Sequence, residues 1–234
     1  MDIPWYEKGV GSKKEFTESR FYNIKTDSGS KKKPEIEALL SKVERQYSSA
    51  ILKLNNGNPF TTDDMFCVVV FIIFQLFRTK RAISGFQKTW DSIASYMDLF
   101  EGGERNKEEA EELAKVMLLR LVHIKACEPI YENGVILFNL TEIPFLTSDN
   151  PVVHKFINRE DISNILNHNQ ILHYVNSHEE TPFFFMPLTP CLAYISHKGV
   201  SNRKQKDYKC VDSQEIINLN NMTIENADKK YILL

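Results

Sequence analysis

Residues 62–81 read TDDMFCVVVFIIFQLFRTKR, and the fold turns on this stretch. Between Phe66 and Phe77 the only polar residue is Gln75. A membrane-spanning helix needs about 20 such residues, and this run meets Arg78, Lys80 and Arg81 well before that length. It is therefore read as the central buried helix of a globular fold, apolar all round because neighbours cover every face. Thr61 or Thr62 supplies an N-cap, and Asp63 and Asp64 sit where the helix dipole favours negative charge.

Upstream, a second helix starts at Pro34. Proline suits a first helical turn, Glu35 and Glu37 follow it, and Gly57 lies just past the helix end. Ile36, Leu39, Leu40, Val43, Tyr47, Ala50, Ile51 and Leu54 recur at steps of three and four, forming one apolar face. Downstream, residues 98–106 (DLFEGGERN) read as a loop, and a third helix is predicted over Lys107–Ala126. Its acids cluster at the start and its bases toward the end, as the macrodipole prefers.

After Pro129 the pattern changes. Val135–Leu140, Ile143–Thr147, Ile171–Val175, Phe183–Met186 and Leu192–Ser196 are short β-prone runs, and Pro187–Pro190 reads as a turn between two strands. A last helix is expected from Ser213 to Leu219, resuming near Glu225. Helices first and strands later predict an α+β fold, with a helical N-terminal half packed on a small, mainly antiparallel sheet from the C-terminal half. The layout expected is a partly packed, lysine-rich arm over residues 1–33 and a single α+β domain over residues 34–234.

Composition narrows the function. With 29 basic against 31 acidic residues the net charge is −2, so no whole-protein field draws in nucleic acid or anionic lipid. Basic residues gather locally, eight against five acids in residues 1–33 and five against one in residues 198–209. The second cluster includes Arg203, Lys204 and Lys206, which suit contact with a nucleic acid or another phosphate ligand. A solvated loop in a lysine-rich chain is the ordinary alternative. Cys67, Cys127, Cys191 and Cys210 show no C-x-x-C spacing, and the start MDIPWYEKGVGSKK has no apolar core of a signal peptide. A reduced, cytoplasmic chain with no membrane partner is expected. The six histidines form no H-E-x-x-H and no Cys/His cluster, so no metal site is expected; the sequence indicates no particular cofactor.

Two places carry candidate chemistry. At Pro144–Val153 an apolar strand runs into Ser148-Asp149-Asn150-Pro151. Short polar side chains here can bond nearby backbone in a structural turn, or present a carboxylate and hydroxyl from a stiff scaffold as base, metal ligand or anchor. At the end of the apolar helix, Gln75 and Arg78 are three apart on one face. A partly buried guanidinium needs a carboxylate or a phosphate, and Glu44 and Asp149 are the internal candidates.

The order of these segments resembles the bacterial Domain of Unknown Function 4238 family. The resemblance rests on Phe21-Tyr22 before a helix with Ile36-Glu37 and Glu44, on Gln75-Leu76-Phe77-Arg78-Thr79 with Arg81 beyond, on Phe145–Val152 followed by Met186–Pro190, and on Leu219-Asn220-Asn221 with Ala227 downstream. It covers roughly residues 12–230. Members typically carry a His-Tyr-x-Pro segment before the first strands, and this sequence has none. The family implies no activity, so two expectations stand. One is a non-catalytic binding or regulatory module of a bacterial or mobile-element system, such as phage defence, with Gln75, Arg81, Glu44, Arg203, Lys204 and Lys206 as binding residues for a nucleic acid, phosphate or protein partner. The other is a hydrolase acting on a phosphate-containing substrate. In it Asp149 serves as base or metal ligand, Arg78 stabilises charge, and Ser148 and Asn150 orient the substrate.

Overall fold

Two antiparallel helices open the computed structural model, which describes residues 35–79, 84, 85, 88, 130–166, 179–200, 208–228 and 231–233. The arm 1–33, the loop at 98–106, the helix predicted over 107–126 and the strand predicted at Ile171–Val175 lie outside the described residues. Helix α1 spans Glu35–Asn55 and α2 spans Thr62–Phe77. Gly57 terminates α1 with φ +65°: its N–H reaches Leu54 O at 3.2 Å, and the Asn58 N–H reaches Lys53 O at 2.9 Å. That pair of bonds is a Schellman close, and it needs the left-handed backbone glycine supplies.

Thr61 is the cap of α2. Its Oγ1 accepts from the Asp64 N–H, and the Asp64 carboxylate accepts from the Thr61 N–H at 2.8 Å, a reciprocal capping box. Lys53 Nζ donates to Asp64 Oδ1 at 2.6 Å, tying the last turn of α1 to the first turn of α2. Burial opposes the Asp64 charge, but the bonds from Lys53 and Thr61 outweigh it and hold the carboxyl below its ordinary range. Tyr47 stacks on Phe71 across the helix pair, with centroids 3.8 Å apart. One expectation is corrected. Phe66 is 38% exposed, so α2 is not covered on every side; its buried face is Val68, Val69 and Phe71–Phe74.

The C-terminal half supplies strands β1 (Gly134–Asn139), β2 (Leu146–Ser148), β3 (Val153–Ile157), β4 (Thr181–Thr189), β5 (Leu192–Ser196), β6 (Tyr208–Val211) and β7 (Tyr231–Leu233). Helix α3 (Arg159–Ile165) follows β3, and helix α4 (Ser213–Asn226) follows β6. Five strands pair in the order β3-β4-β5-β1-β6, antiparallel except for β1 with β6, while β2 and β7 form a separate antiparallel pair. The fold is α+β, as expected.

Both faces of the five-stranded sheet are buried at its central strands β4, β5 and β1, while His154, Lys155 and Phe156 of the edge strand β3 are exposed. Ile136, Phe184, Met186, Leu188, Leu192 and Tyr194 face the core built with α1 and α2. Their strand neighbours Val135, Leu137, Phe183, Phe185, Ala193 and Ile195 face a second core with Ile162 of α3 and Ile216, Leu219 and Met222 of α4. A strand buried on both sides has no reason to alternate, which accounts for the unbroken apolar runs in β4 and β5. Tyr47 fastens the first layer by donating from its hydroxyl to Leu188 O at 3.2 Å.

Three local expectations give way. Strand β4 runs through Pro187 to Thr189, so the turn into β5 is only Pro190–Cys191. Pro187 has no N–H for the ladder, and the β4–β5 register shifts between Pro187 and Thr189. Helix α4 is continuous to Asn226, capped by Asp212 in a second capping box with Glu215. Finally, Tyr208 begins a strand where only a loop was expected.

Candidate functional site

The corner Ser148–Asn150 joins β2 to β3, and a line of amide side chains holds the chain leading into and out of it. Asn139, buried at the end of β1, donates to Ile143 O at 2.6 Å and to Pro190 O at 3.2 Å. Its Oδ1 accepts from the Thr141 N–H at 2.8 Å. Asn220 of α4 accepts from the Leu146 N–H and donates to Pro144 O, both at 2.9 Å. Asn226, further along the same helix, donates to Asn150 O at 2.8 Å and Val152 O at 3.0 Å. Between residues 141 and 152, the Thr141 and Leu146 N–H groups and the Ile143, Pro144, Asn150 and Val152 carbonyls are thus bonded to asparagine side chains. The physical need is plain: β2 is short and Pro144 and Pro151 interrupt the segment, so the sheet ladder cannot satisfy these groups.

Each candidate in the corner is engaged in this clasp. Ser148 Oγ accepts from the Asn150 N–H at 3.2 Å, and both residues are buried. Asn150 Nδ2 donates to Asn226 O at 3.2 Å. Asp149 Oδ1 accepts from the Asp228 N–H at 3.0 Å, just past the end of α4 and before β7. Ser148 itself pairs with Tyr231 of β7. The structure therefore brings Ser148, Asp149 and Asn150 together with the C-terminal segment.

Arg78 is the C-cap of α2, its N–H bonded to Phe74 O. Its guanidinium meets Glu44 Oε1 of α1 at 2.8 Å, the first of the two carboxylates anticipated for it. Both side chains are partly exposed, so water screens the pair and its worth is at most about 1 kcal/mol. Gln75 sits half-buried one turn before Arg78. Arg81, Arg203, Lys204 and Lys206 lie outside the described residues. Among the described residues, no three His, Cys, Asp or Glu side chains gather as a metal site would require, and no helix is long and apolar enough to cross a membrane.

Sequence reasoning passed over Asn139, Asn226 and His197. Asn220 lies in a stretch that carried the family resemblance, so a signal for it existed. Asn226 had none, being one of 18 asparagines in the chain.

The class that fold and corner define is an α+β protein with a sheet buried on both faces at its central strands and an asparagine-clasped strand end. The chain belongs to the family described as Protein of unknown function (DUF4238), whose sequence model it matches over residues 6–233. Comparison with curated proteins and with solved structures gives no match.

Proposed function

We propose that the chain is a non-catalytic binding or regulatory module that engages a phosphate-bearing partner through its basic segments. In this reading Arg78 and Asp149 serve the architecture. The observation that supports it is the commitment of the corner's polar groups to the chain's own backbone, Asp149 to the Asp228 N–H and Asn150 to Asn226. Through that bond Asp149 fixes the chain before β7, a structural duty that accounts for a short carboxylate at this corner. Arg78 likewise answers Glu44.

The binding half of the proposal is tested with the full chain and a labelled single-stranded RNA of about 20 nucleotides, longer than the roughly 4–16 nucleotides a single binding fold covers. Reversing three charges together, Arg203→Glu, Lys204→Glu and Lys206→Glu, is expected to weaken binding by at least about tenfold. The slope of log affinity against log salt should shrink by about 2, since each phosphate contact to a single strand contributes about 0.7. Unchanged affinity and slope would remove the 198–209 segment from the interface.

A further inference from the structure

We propose that His197 is a pH-responsive pin: at the junction where β3 and β5 end and β4 begins, protonation in mild acid unfastens the Lys198–Val200 turn that leads into the basic run. The imidazole is fully buried immediately after β5. The Gly199 N–H points at its Nδ1 at 3.0 Å. A backbone amide can only donate, so Nδ1 accepts and carries no proton, which leaves the proton on Nε2. That nitrogen lies 2.7 Å from Thr181 Oγ1 at the start of β4 and 3.4 Å from Ile157 O at the end of β3. The His197 backbone completes the knot, accepting from the Val200 N–H at 2.9 Å and donating to Asn133 O at 3.3 Å.

One ring therefore joins three strand ends and its own turn, and the Gly199 bond to Nδ1 requires the neutral form. A second proton has to go on Nδ1, where it faces the Gly199 N–H donor to donor, so that bond is lost. Burial disfavours the imidazolium, and the Ile157 carbonyl opposes this only partly, so the ring titrates below its ordinary 6.5. Among the described residues, the surroundings offer little compensation. Phe183 flanks the ring at 6.3 Å. Lys155 on β3, Glu160 and Asp161 on α3, Glu179 and Glu180 before β4, and Lys198 in the turn are all exposed, with Lys198 paired to Glu179. Glu132 before β1 is half-buried, and buried Glu215 of α4 accepts from the Asp212 N–H.

The sign follows from linkage. An imidazole whose folded value is depressed stabilises the closed junction fully above 6.5. That contribution falls as pH drops below 6.5, because the opened junction binds the proton first. Until the native ring itself titrates, the opening constant rises by up to about tenfold per pH unit, the slope for one linked proton.

The experiment is residue-resolved amide exchange on the full chain at about pH 7.5 and about pH 5.5, expressed as protection factors to remove the intrinsic pH dependence of exchange. Protection at Gly199 and Val200 should fall at the lower pH by several-fold, up to about tenfold. His197→Gln, which cannot titrate, should show no such fall, while the exposed His154 is common to both proteins. Equal protection at the two pH values in the wild type, or the same fall in His197→Gln, overturns the proposal. Nitrogen NMR of the wild-type ring gives an independent check in case the variant fails to fold. Nδ1 must appear unprotonated near neutral pH, and an Nδ1–H tautomer would also overturn it.

Discussion

Gly134→Ala is expected to destabilise the protein by about 3 kcal/mol, which in a chain of this size lowers the melting temperature by roughly 6–12 °C. Gly134 opens β1 two residues before Ile136, whose cross-strand partner is Tyr194. The phenol of Tyr194 lies along β1 and covers Gly134, so an added methyl would overlap the hydroxyl and two ring carbons. The ring cannot easily yield. It is fully buried in the core with α1 and α2, and its hydroxyl donates to Ile130 O at 2.6 Å. Backbone strain plays no part, since the only positive φ at a described glycine is that of Gly57. Denaturant titration of Gly134→Ala, Tyr194→Phe and the double variant checks the account. Tyr194→Phe should itself cost about 1 kcal/mol through the lost bond to Ile130 O. The double variant should lose less than the sum of the singles, because a ring without its hydroxyl anchor can shift. A loss under about 0.5 kcal/mol for Gly134→Ala would contradict the packing described.

The second large effect is expected at Asn220. Replacing it with alanine leaves the Leu146 N–H and the Pro144 carbonyl without their amide partner beside a buried helix face. Stranded polar groups cost about 1–3 kcal/mol each, so Asn220→Ala should lose about 3 kcal/mol in urea or thermal unfolding. Asn220→Asp separates the two bonds. A carboxylate still accepts from Leu146 N–H but faces the Pro144 carbonyl with no proton to give. That variant should be destabilised at neutral pH and recover as pH falls, because the protonated acid can donate again. The raised folded-state pKa of a carboxylate in that position places the recovery above the ordinary carboxyl value of about 4. Equal losses at pH 7 and at about pH 4.5 would show that the Pro144 bond contributes nothing.

How much of this was legible in the sequence depends on the range of the interaction. Helix α2 was legible because an apolar run headed by Thr61-Thr62-Asp63-Asp64 carries its own boundary. The same holds for Gly57, whose left-handed turn is a local demand. Strand β5 was read as Leu192–Ser196 and found there, since both its faces are buried and every position is apolar or small. The Arg78–Glu44 pair was anticipated because a guanidinium at the end of such a helix has few partners to choose from.

The rest depends on pairing over long distances. Strands β2 and β7 have three residues each, and a strand that short exists because of a partner far along the chain, as in Ser148↔Tyr231. No local pattern announces it. Pro187 misled for a similar reason: proline reads as a turn, yet at an irregularity in the ladder it stays in the strand. The clasp was illegible because asparagine is chemically unspecific. Asn220 and Asn226 are distinguished from the chain's other amides only by which carbonyls they meet. His197 looks like any histidine after a strand until Gly199, Thr181 and Ile157 surround it. The corner lies at the end of β2, and the bonds of Asp149 to the Asp228 N–H and of Asn150 to Asn226 span more than 70 residues, beyond any local pattern.

The most direct test of the structural role of that corner is a paired measurement on Asp149→Ala, taking unfolding free energy and phosphodiester hydrolysis on the same preparations. RNA and DNA substrates should be assayed with and without a divalent cation. Loss of the bond to the Asp228 N–H is expected to cost about 1–2 kcal/mol, with wild type and variant alike showing no hydrolysis above background. Hydrolysis by the wild type that disappears in Asp149→Ala while the unfolding free energy stays unchanged would contradict the account and make Asp149 a catalytic residue.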